Sequence, residues 1–373
     1  MSISKTFCPA KWDEILVNLS ANYVYSCCKS TPIQITSKED IDHALDQQRT
    51  NLLAGIQDPS CDYCWRVENQ GHFSLRQEYI FKMGDTDTTQ YQTNIVKLKK
   101  VEVNLGNECN FQCTYCNPKF SSQWETDVKN KPYKLYSDRY FYAVDEKNNN
   151  TVDDTIDWLK TLDSIEILQM IGGEPTQNKN FFRISETIHS KQLSFSTNLS
   201  CKRKTIDRIL ALADRYELIT MSVSIDSTGT NAEFSRYGMD YMVMLDNIKY
   251  LITNCPHNVK IIFHSLMTSV TIRDFSNIVD LIEGFHTINP SVTWNLTFCQ
   301  DPNILTLNTL PDKFKPEILE KINDIKGKDY IYGIEILEGA VRTAVFNKTM
   351  YGQLKSFLEE FGARKKLAVP IEL

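Results

Sequence analysis

Residues 109–116, Cys-Asn-Phe-Gln-Cys-Thr-Tyr-Cys, directly follow an alternating apolar run at residues 101–105. This order places three thiols, those of Cys109, Cys113 and Cys116, on one short loop that leaves the end of a predicted strand. Three sulfur ligands on one loop can hold a metal cluster and leave one position of that cluster open. The fold around the loop must therefore supply whatever occupies the open position.

Composition limits the kind of protein that carries this loop. The chain has 373 residues, of which 42% are hydrophobic, so it can bury a barrel-sized core together with a smaller region. Its formal net charge of −6 argues against general nucleic-acid binding, which needs concentrated Lys and Arg. No apolar run approaches the roughly 20 residues of a membrane span, and no secretory apolar segment follows the polar first residues. We expect a cytoplasmic globular protein.

The chain from residue 96 alternates short apolar runs with amphipathic segments, which is typical of βα units around a parallel sheet. Six candidate strands occur in order: 97–105, 164–171, 192–197, 218–225, 259–266 and 292–298. Consecutive right-handed βα units predict an α/β fold, a partial (β/α)6 TIM-like barrel over residues 96–300. We expect a Cys-rich region at residues 1–95 and a helical extension at residues 301–373.

In parallel barrels the chemistry lies where strands end, so the residues that follow these six strands are the candidates for a site. The second, third and fourth strands lead to Gly172, Gly173 and Glu174, to Asn198, and to Ser224 with Asp226. Paired glycines let a backbone approach a ligand closely, and Glu174 adds a carboxylate. The alternative is an ordinary strand-to-helix turn.

A second group of cysteines lies in the N-terminal region: Cys8, Cys27, Cys28, Cys61 and Cys64. Disulfides are disfavoured in the cytosol, so this clustering indicates metal ligation. The simplest set of four ligands is Cys8, Cys27, Cys61 and Cys64, with Cys28 as the alternative to Cys27. A structural zinc site is the alternative to an iron–sulfur cluster.

Two motifs carry a resemblance to a known family. The x3 and x2 cysteine spacing, with Tyr115 before the last cysteine and Gly-Gly-Glu-Pro on the next strand, resembles the radical S-adenosylmethionine (SAM) superfamily. The N-terminal residues resemble its twitch or SPASM variety, in which an auxiliary cluster is present: Cys8-Pro9-Ala10-Lys11-Trp12, Cys27-Cys28, and Cys61-x2-Cys64-Trp65 with Glu68, Gly71, Ser74 and Arg76. Unlike in many SPASM proteins, these cysteines precede the barrel.

The resemblance implies a chemistry. The three barrel cysteines would hold a [4Fe–4S] cluster whose fourth iron binds SAM. Reductive cleavage of SAM would give a 5′-deoxyadenosyl radical that abstracts hydrogen from a peptide, sugar or nucleotide-type substrate. An auxiliary [4Fe–4S] cluster would assist electron transfer or substrate placement. An external one-electron reductant such as flavodoxin or ferredoxin would be a partner, and no membrane partner is expected.

The resemblance also assigns cofactor contacts. The methionine amino group of SAM would meet Gly172, Gly173 and Glu174, and its carboxylate would meet Ser224 and Arg236. Tyr115 would cover the adenine, while Asn198 and Asp226 would face the ribose or the barrel mouth.

Each of these roles has a plainer alternative. Arg236 could instead form a surface ion pair with Glu233, and Tyr115 could simply pack with Phe111 and Trp124. Cys299 and His264 are predicted as core residues, although either could reach the substrate. The alternative functions are a sulfur-inserting radical SAM enzyme, whose auxiliary cluster keeps an open iron, and a non-catalytic metal or iron–sulfur protein.

Overall fold

The computed structural model describes residues 4–84, 91, 98–135, 152–162 and 165–370, and its centre is a ten-stranded sheet. The strands of this sheet are β1 (Glu14–Asn18), β2 (Tyr23–Tyr25), β3 (Ile33–Gln34), β4 (Lys100–Asn104), β6 (Ile165–Ile171), β7 (Ser190–Thr197), β8 (Leu218–Ser224), β10 (Val259–Met267), β11 (Thr293–Phe298) and β12 (Ile331–Tyr332); β5 (Gln112–Cys113) and β9 (Arg236–Tyr237) form a separate pair. All six predicted strands are confirmed, as β4, β6, β7, β8, β10 and β11. The loop at residues 145–150, expected within an insertion, lies outside the described residues.

The six predicted strands lie side by side in sequence order, and every neighbouring pair is parallel. The full order of the sheet is β12-β11-β10-β8-β7-β6-β4-β1-β2-β3. This is the mixed α/β, mostly parallel architecture expected of successive βα units. Closure into a partial barrel stays a prediction.

Both flanking regions extend this sheet. β1 pairs parallel with β4, placing Val17 opposite Val103, and β2 and β3 continue antiparallel from it. At the other edge, β12 pairs parallel with β11. Strands of the N-terminal region and the strand that leads to the cysteine loop are therefore neighbours in one sheet. The proposed boundaries near residues 95 and 300 stay predictions.

Helices accompany the strands along the whole chain. They are α1 (Ala10–Asp13), α2 (Lys38–His43), α3 (Asp46–Leu53), α4 (Asp62–Asn69), α5 (Leu75–Met83), α6 (Ser122–Asn130), α7 (Val152–Leu159), α8 (Lys179–Ser185), α9 (Arg203–Ala211), α10 (Gly229–Ser235), α11 (Tyr241–Asn254), α12 (Phe275–Ile288), α13 (Lys315–Ile325), α14 (Ile334–Thr343) and α15 (Lys348–Lys365). Within the described ranges, no helix combines the length and the apolar character needed to cross a membrane.

The two faces of the sheet differ in polarity because side chains alternate along each strand. One set, which includes Val101, Leu193 and Met221, is fully buried in the main hydrophobic core. The alternate set is polar and half-buried on several neighbouring strands: Asn104, Gln169, Ser194, Ser222, His264 and Asn295. A polar face continues along the sheet into the region where the strands end.

The helical C-terminal extension has a packing role. Phe357 and Phe361 of α15 form an aromatic cluster with Trp124 and Tyr133, with ring centroids of Trp124 and Phe361 5.8 Å apart. Trp124 belongs to α6, which follows the cysteine loop. The extension therefore packs behind that loop, although the central strands lie between the two in the sequence.

Candidate functional site

The three cysteines of the loop lie on the wall of one cavity at the ends of the central strands. Cys109, Cys113 and Cys116 share this cavity, which measures about 830 Å³ including space open to solvent. The remaining wall comes from the loop and the residues just after it, from the ends of β6, β7, β8 and β10, and from β9: Phe111, Tyr115, Phe120, Gly172, Gly173, Glu174, Ser196, Thr197, Asn198, Ser224, Asp226, Arg236, His264 and Leu266. Every cofactor-binding residue predicted from sequence is on this wall, but the wall alone assigns none of them a ligand.

The cysteine loop is fixed from three directions. β5 pairs with β9, so that Cys113 lies opposite Arg236, and the amide of Thr114 donates to the carbonyl of Ser235 at 2.8 Å. The indole nitrogen of Trp124 donates to the carbonyl of Cys113 at 2.8 Å. Because the backbone is held at Cys113 and beside it, the direction of its thiol is set before any ligand binds.

Gly172 and Gly173 pack closely against the backbone just before the cysteine loop, at residues 106–108. A Cβ at Gly173 would lie 2.5 Å from the carbonyl oxygen of Glu108 and 2.8 Å from that of Asn107. Gly172 has φ +142°, and a Cβ there would lie 2.7 Å from the carbonyl oxygen of Gly106. The amide of Gly173 also donates to Gly106 at 2.8 Å. The glycines therefore join the end of β6 to the start of the loop, whatever else they contact.

Glu174 uses its carboxylate inside the fold. One oxygen accepts from the hydroxyls of Thr176 and Thr197, each at 2.7 Å, and the other accepts from the amide of Asn198 at 2.6 Å. Burial raises the pKa of Glu174, and these hydrogen bonds oppose the rise. Asn198 in turn donates from its side chain to Asn110 at 2.8 Å. Glu174 and Asn198 together connect the ends of β6 and β7 to the cysteine loop.

Arg236 is a buried residue with a buried partner. Its Nη1 donates to Asp226 at 2.9 Å and to the hydroxyl of Tyr115 at 2.5 Å, and that hydroxyl also donates to Asp226. The alternative of a surface pair with Glu233 is wrong, because Glu233 instead accepts from the backbone amide of Tyr241 at 3.0 Å. The Nε of Arg236 is buried and has no hydrogen-bond partner within the described structure. The guanidinium thus keeps one donor that the described residues leave unsatisfied.

Burial disfavours ionisation of the loop thiols, and the positive charge of Arg236 favours it. Burial raises the pKa of Cys109 to about 12, and it also raises the pKa of Cys113 and of Cys116. Arg236 opposes the rise at all three cysteines. Thiolates are the forms that bind iron, and a bound metal lowers the pKa of its own ligands. Three thiols on the wall of one cavity therefore fit a metal cluster by their chemistry.

A second cavity, which measures about 330 Å³ including space open to solvent, lies among the N-terminal cysteines. Cys8, Cys27, Cys61 and Cys64 all line it, whereas Cys28 is exposed and does not. The other lining residues are Ala10, Lys11, Lys29, Leu75, Arg76 and Tyr79. Of the two alternatives at positions 27 and 28, the structure thus brings Cys27 together with the other three thiols.

The residues after Cys64 hold this second cavity in shape. Arg76 forms a two-pronged pair with Glu68, with distances of 2.9 Å from Nε and 2.6 Å from Nη2. Its Nη1 donates to the carbonyl of Phe7 at 2.8 Å, next to Cys8, and its backbone amide is hydrogen-bonded to the thiol of Cys64. Ser74 donates to Glu68 at 2.5 Å. Together they connect two cysteines that are far apart in the sequence.

Other predicted candidates divide between the cavities and the core. His264 lines the first cavity, with its two ring nitrogens 3.2 Å from Asn295 and Thr297, and burial lowers its pKa. Cys299 is buried in the aromatic cluster of α15, as expected of a core residue. Cys201 and Cys255 lie on neither cavity wall.

Two wall residues were not singled out from the sequence. Thr197 ends a predicted strand, and in the structure its hydroxyl donates to Glu174. Lys11 belongs to the first cysteine motif, three residues after Cys8, and both line the second cavity. That spacing was the available signal.

The cysteines around each cavity are not arranged to bind one metal ion together. In the described part of the chain, no three His, Cys, Asp or Glu side chains are placed to hold one metal ion. A tetrahedral zinc site needs four ligands at about 2.0–2.3 Å from one centre.

Comparison with known proteins gives one family match. Residues 103–282 match the family model described as the radical SAM superfamily. The matched range begins in β4 and ends in α12, so it contains the cysteine loop and every residue that lines the first cavity. No functionally curated protein shows significant similarity to the chain.

Solved structures of SuiB from Streptococcus suis resemble the chain distantly. The SAM-bound structure is 12% identical, with a TM-score of 0.38, and the match covers 89% of this chain and 70% of that one. The structure bound to the precursor peptide SuiA is 12% identical, with a TM-score of 0.41, and the match covers 87% of this chain and 72% of that one. A resemblance this distant transfers neither a substrate nor a residue's role.

Proposed function

With residues 103–282 as a radical SAM superfamily domain, we propose that this chain is an enzyme that cleaves SAM reductively and uses an auxiliary [4Fe–4S] cluster. The superfamily uses a [4Fe–4S] cluster and SAM, which supply a 5′-deoxyadenosyl radical for hydrogen abstraction from an unactivated C–H bond. The observation that carries the proposal is the single cavity shared by three thiols and the ends of four parallel strands.

The chain's own residues would bind and orient the cofactor. Cys109, Cys113 and Cys116 would ligate three irons. The guanidinium of Arg236, together with Ser224, would bind the methionine carboxylate of SAM. The backbone at Gly172 and Gly173 would face the amino group. Tyr115 would act through its ring, since its hydroxyl is already bound to Asp226 and Arg236.

The charge of the first cavity favours an uncharged polar substrate. Among its lining residues the only Lys or Arg is Arg236, which is paired with Asp226. A phosphate group needs spare cations or helix ends, and this wall offers none beyond Arg236. Within the substrate classes considered, peptide and sugar are therefore favoured over a nucleotide.

The second cavity supports an auxiliary cluster with four protein ligands. Cys8, Cys27, Cys61 and Cys64 lie around it, and full ligation would leave no iron for substrate or for sulfur donation. This favours electron transfer or substrate placement over sulfur insertion. These four thiols line one cavity, and in the described residues no three of them are placed to hold a single metal ion, which favours a cluster over one zinc ion.

The test is anaerobic reconstitution with iron and sulfide, followed by dithionite, SAM and assay of 5′-deoxyadenosine. We expect about eight irons per chain and measurable cleavage. Cys113→Ala should abolish cleavage, whereas Cys201→Ala, which removes a thiol from neither cavity, should not. Iron near four per chain would remove the auxiliary cluster from the proposal, and absence of cleavage in the fully loaded protein would favour a non-catalytic iron–sulfur protein.

A further inference from the structure

The wall of the second cavity contains a buried lysine. Lys11 is 1% exposed and its ammonium donates to the hydroxyl of Ser26. The same ammonium is hydrogen-bonded to the thiol of Cys61 and lies near those of Cys8 and Cys27. A fully buried ammonium thus borders three of the four predicted ligands.

The charge of Lys11 has no carboxylate partner. In the described part of the chain it forms no ion pair, and the carboxylate whose pKa it lowers from a distance, Asp58, already accepts from Asn51 and Ser60. A buried charge is retained only where other charges or hydrogen bonds offset its desolvation. The groups beside Lys11 that can become negatively charged are the cysteine sulfurs, which bind iron as thiolates.

The other two cations on this wall are satisfied elsewhere. Arg76 is paired with Glu68, and Lys29 is exposed and lies 4.9 Å above the ring of Tyr63. Lys11 therefore differs from both, since its charge is buried and directed at the thiols. A tetrathiolate iron–sulfur cluster carries net negative charge, which would supply the missing counter-charge.

The backbone holds Lys11 in this position. Its amide donates to the carbonyl of Cys8 at 3.3 Å, and its own carbonyl accepts from Nε of the buried Arg49 at 2.9 Å. Cys8 lies just before α1 and Lys11 lies within it, and both residues line the second cavity. The ammonium is thus placed by the same turn that places a predicted ligand.

We propose that Lys11 is a positioning residue that raises the reduction potential of the auxiliary cluster by holding a positive charge and a hydrogen bond against its cysteine sulfurs. The inference rests on the proposed auxiliary cluster. Reduction adds one electron to the cluster and makes or breaks no bond, so a fixed cation stabilises the reduced form more than the oxidised form. The site is thereby suited to accept an electron from a one-electron donor, either an external reductant or a carbon-centred substrate radical.

The test is a potentiometric titration of the reconstituted full chain, followed by electron paramagnetic resonance. Addition of SAM perturbs the signal of the cluster with an open iron and so identifies the auxiliary signal. At a fixed solution potential, Lys11→Met should lower the ratio of reduced to oxidised auxiliary cluster at least tenfold, about 59 mV for a one-electron couple. Lys11→Arg, which keeps the charge, should recover most of that ratio.

The matched control is Lys29→Met, which removes the same charge from an exposed position on the same cavity. We expect less than a twofold change, because solvent screens that charge. Equal effects of the two Met variants, or no effect of Lys11→Met, would overturn the proposal. If Lys11→Met does not load iron, Lys11→Gln is titrated instead; an unchanged ratio, or a folded Gln variant that also fails to load, assigns Lys11 a purely structural role.

Failure of the proposed function can be distinguished from failure of the inference about Lys11. A wild-type chain that cleaves SAM with iron near four per chain lacks the auxiliary cluster, whatever Lys11 does. A wild-type chain with about eight irons and a potential insensitive to Lys11 keeps its function and loses only this inference.

Discussion

Cys113 and Arg236 lie directly opposite each other in the two-stranded antiparallel pair of β5 and β9. The same Arg236 reaches Asp226 at the end of β8 and Tyr115 within the cysteine loop. The backbone register and the guanidinium thus connect one predicted iron ligand to the far side of the cavity. The shape of the loop depends on this connection as well as on the cysteines.

Removing the guanidinium should leave Asp226 as an uncompensated buried charge. We expect Arg236→Met to lower the free energy of unfolding by about 3–5 kcal/mol, since breaking a buried pair costs that much. Arg236→Met combined with Asp226→Asn should recover part of the loss. Urea unfolding of the chain measures both.

The control for that prediction is Arg203→Met, which removes an exposed pair with Asp246. Its cost should stay below about 1 kcal/mol. If the two single variants cost the same, the pair with Asp226 contributes little to the loop.

A methyl group at Gly173 would collide with two carbonyl oxygens at the base of the loop. We expect Gly173→Ala to lower the free energy of unfolding by about 1–3 kcal/mol and to reduce iron loading, because the loop must move away. Gly284→Ala is the control, since a Cβ in the middle of α12 meets nothing within 4 Å. That variant should be neutral or slightly stabilising, and an equally harmful Gly284→Ala would contradict the collision.

The sequence was informative where a pattern is local. Alternation over 4–8 residues predicted all six central strands, and the x3 and x2 spacing put three cysteines on one loop. Pairings between distant segments have no such pattern: nothing in residues 14–18 predicts a parallel partner at residues 100–104. The burial of Lys11 and the partner of Arg236 follow from those pairings, so they required the structure.

Cys27 and Cys28 differ in exposure, and we expect only Cys27 to be a ligand of the auxiliary cluster. Cys27 lines the second cavity and Cys28 does not, so we expect Cys27→Ala to lose the auxiliary cluster and Cys28→Ala to retain it. Iron content and the auxiliary resonance signal measure the difference, with Cys28→Ala as the matched control. The reverse result would mean that the loop at residues 27–28 binds iron through its exposed thiol.

The C-terminal helix should stabilise the cysteine loop through Trp124. Phe361 is fully buried against Trp124, whose indole nitrogen donates to the carbonyl of Cys113. We expect Phe361→Ala to cost about 3–5 kcal/mol, as truncation of a buried aromatic ring does, and to weaken iron binding at the loop.

The corresponding control is Phe81→Ala, since Phe81 is 80% exposed. We expect a change within about 0.5 kcal/mol for that variant. If Phe361→Ala keeps full stability and iron loading, the C-terminal extension does not stabilise the cysteine loop.

The pair of Glu68 and Arg76 should make the N-terminal region sensitive to acid. Burial tends to raise the pKa of Glu68, but hydrogen bonds from Arg76 and Ser74 outweigh it and hold that pKa below its usual value. A carboxyl whose pKa is lowered by folding stabilises the protein above its unfolded pKa, near ~4.3, and loses that contribution as the pH falls through the folded value. Glu68→Gln should therefore be less stable than wild type at pH 6, and the difference should shrink toward pH 3.

Urea midpoints of the apo chain at the two pH values measure this change. Glu78→Gln is the control, because Glu78 lies on the same helix as Arg76 and, among the described residues, pairs with the exposed Lys82. Its difference from wild type should stay small at both pH values. A Glu68→Gln difference that is independent of pH would mean that the side chain acts by packing and not by charge. Because Arg76 also holds the backbone beside Cys8 and the thiol of Cys64, acid should loosen two predicted ligands of the second cavity together.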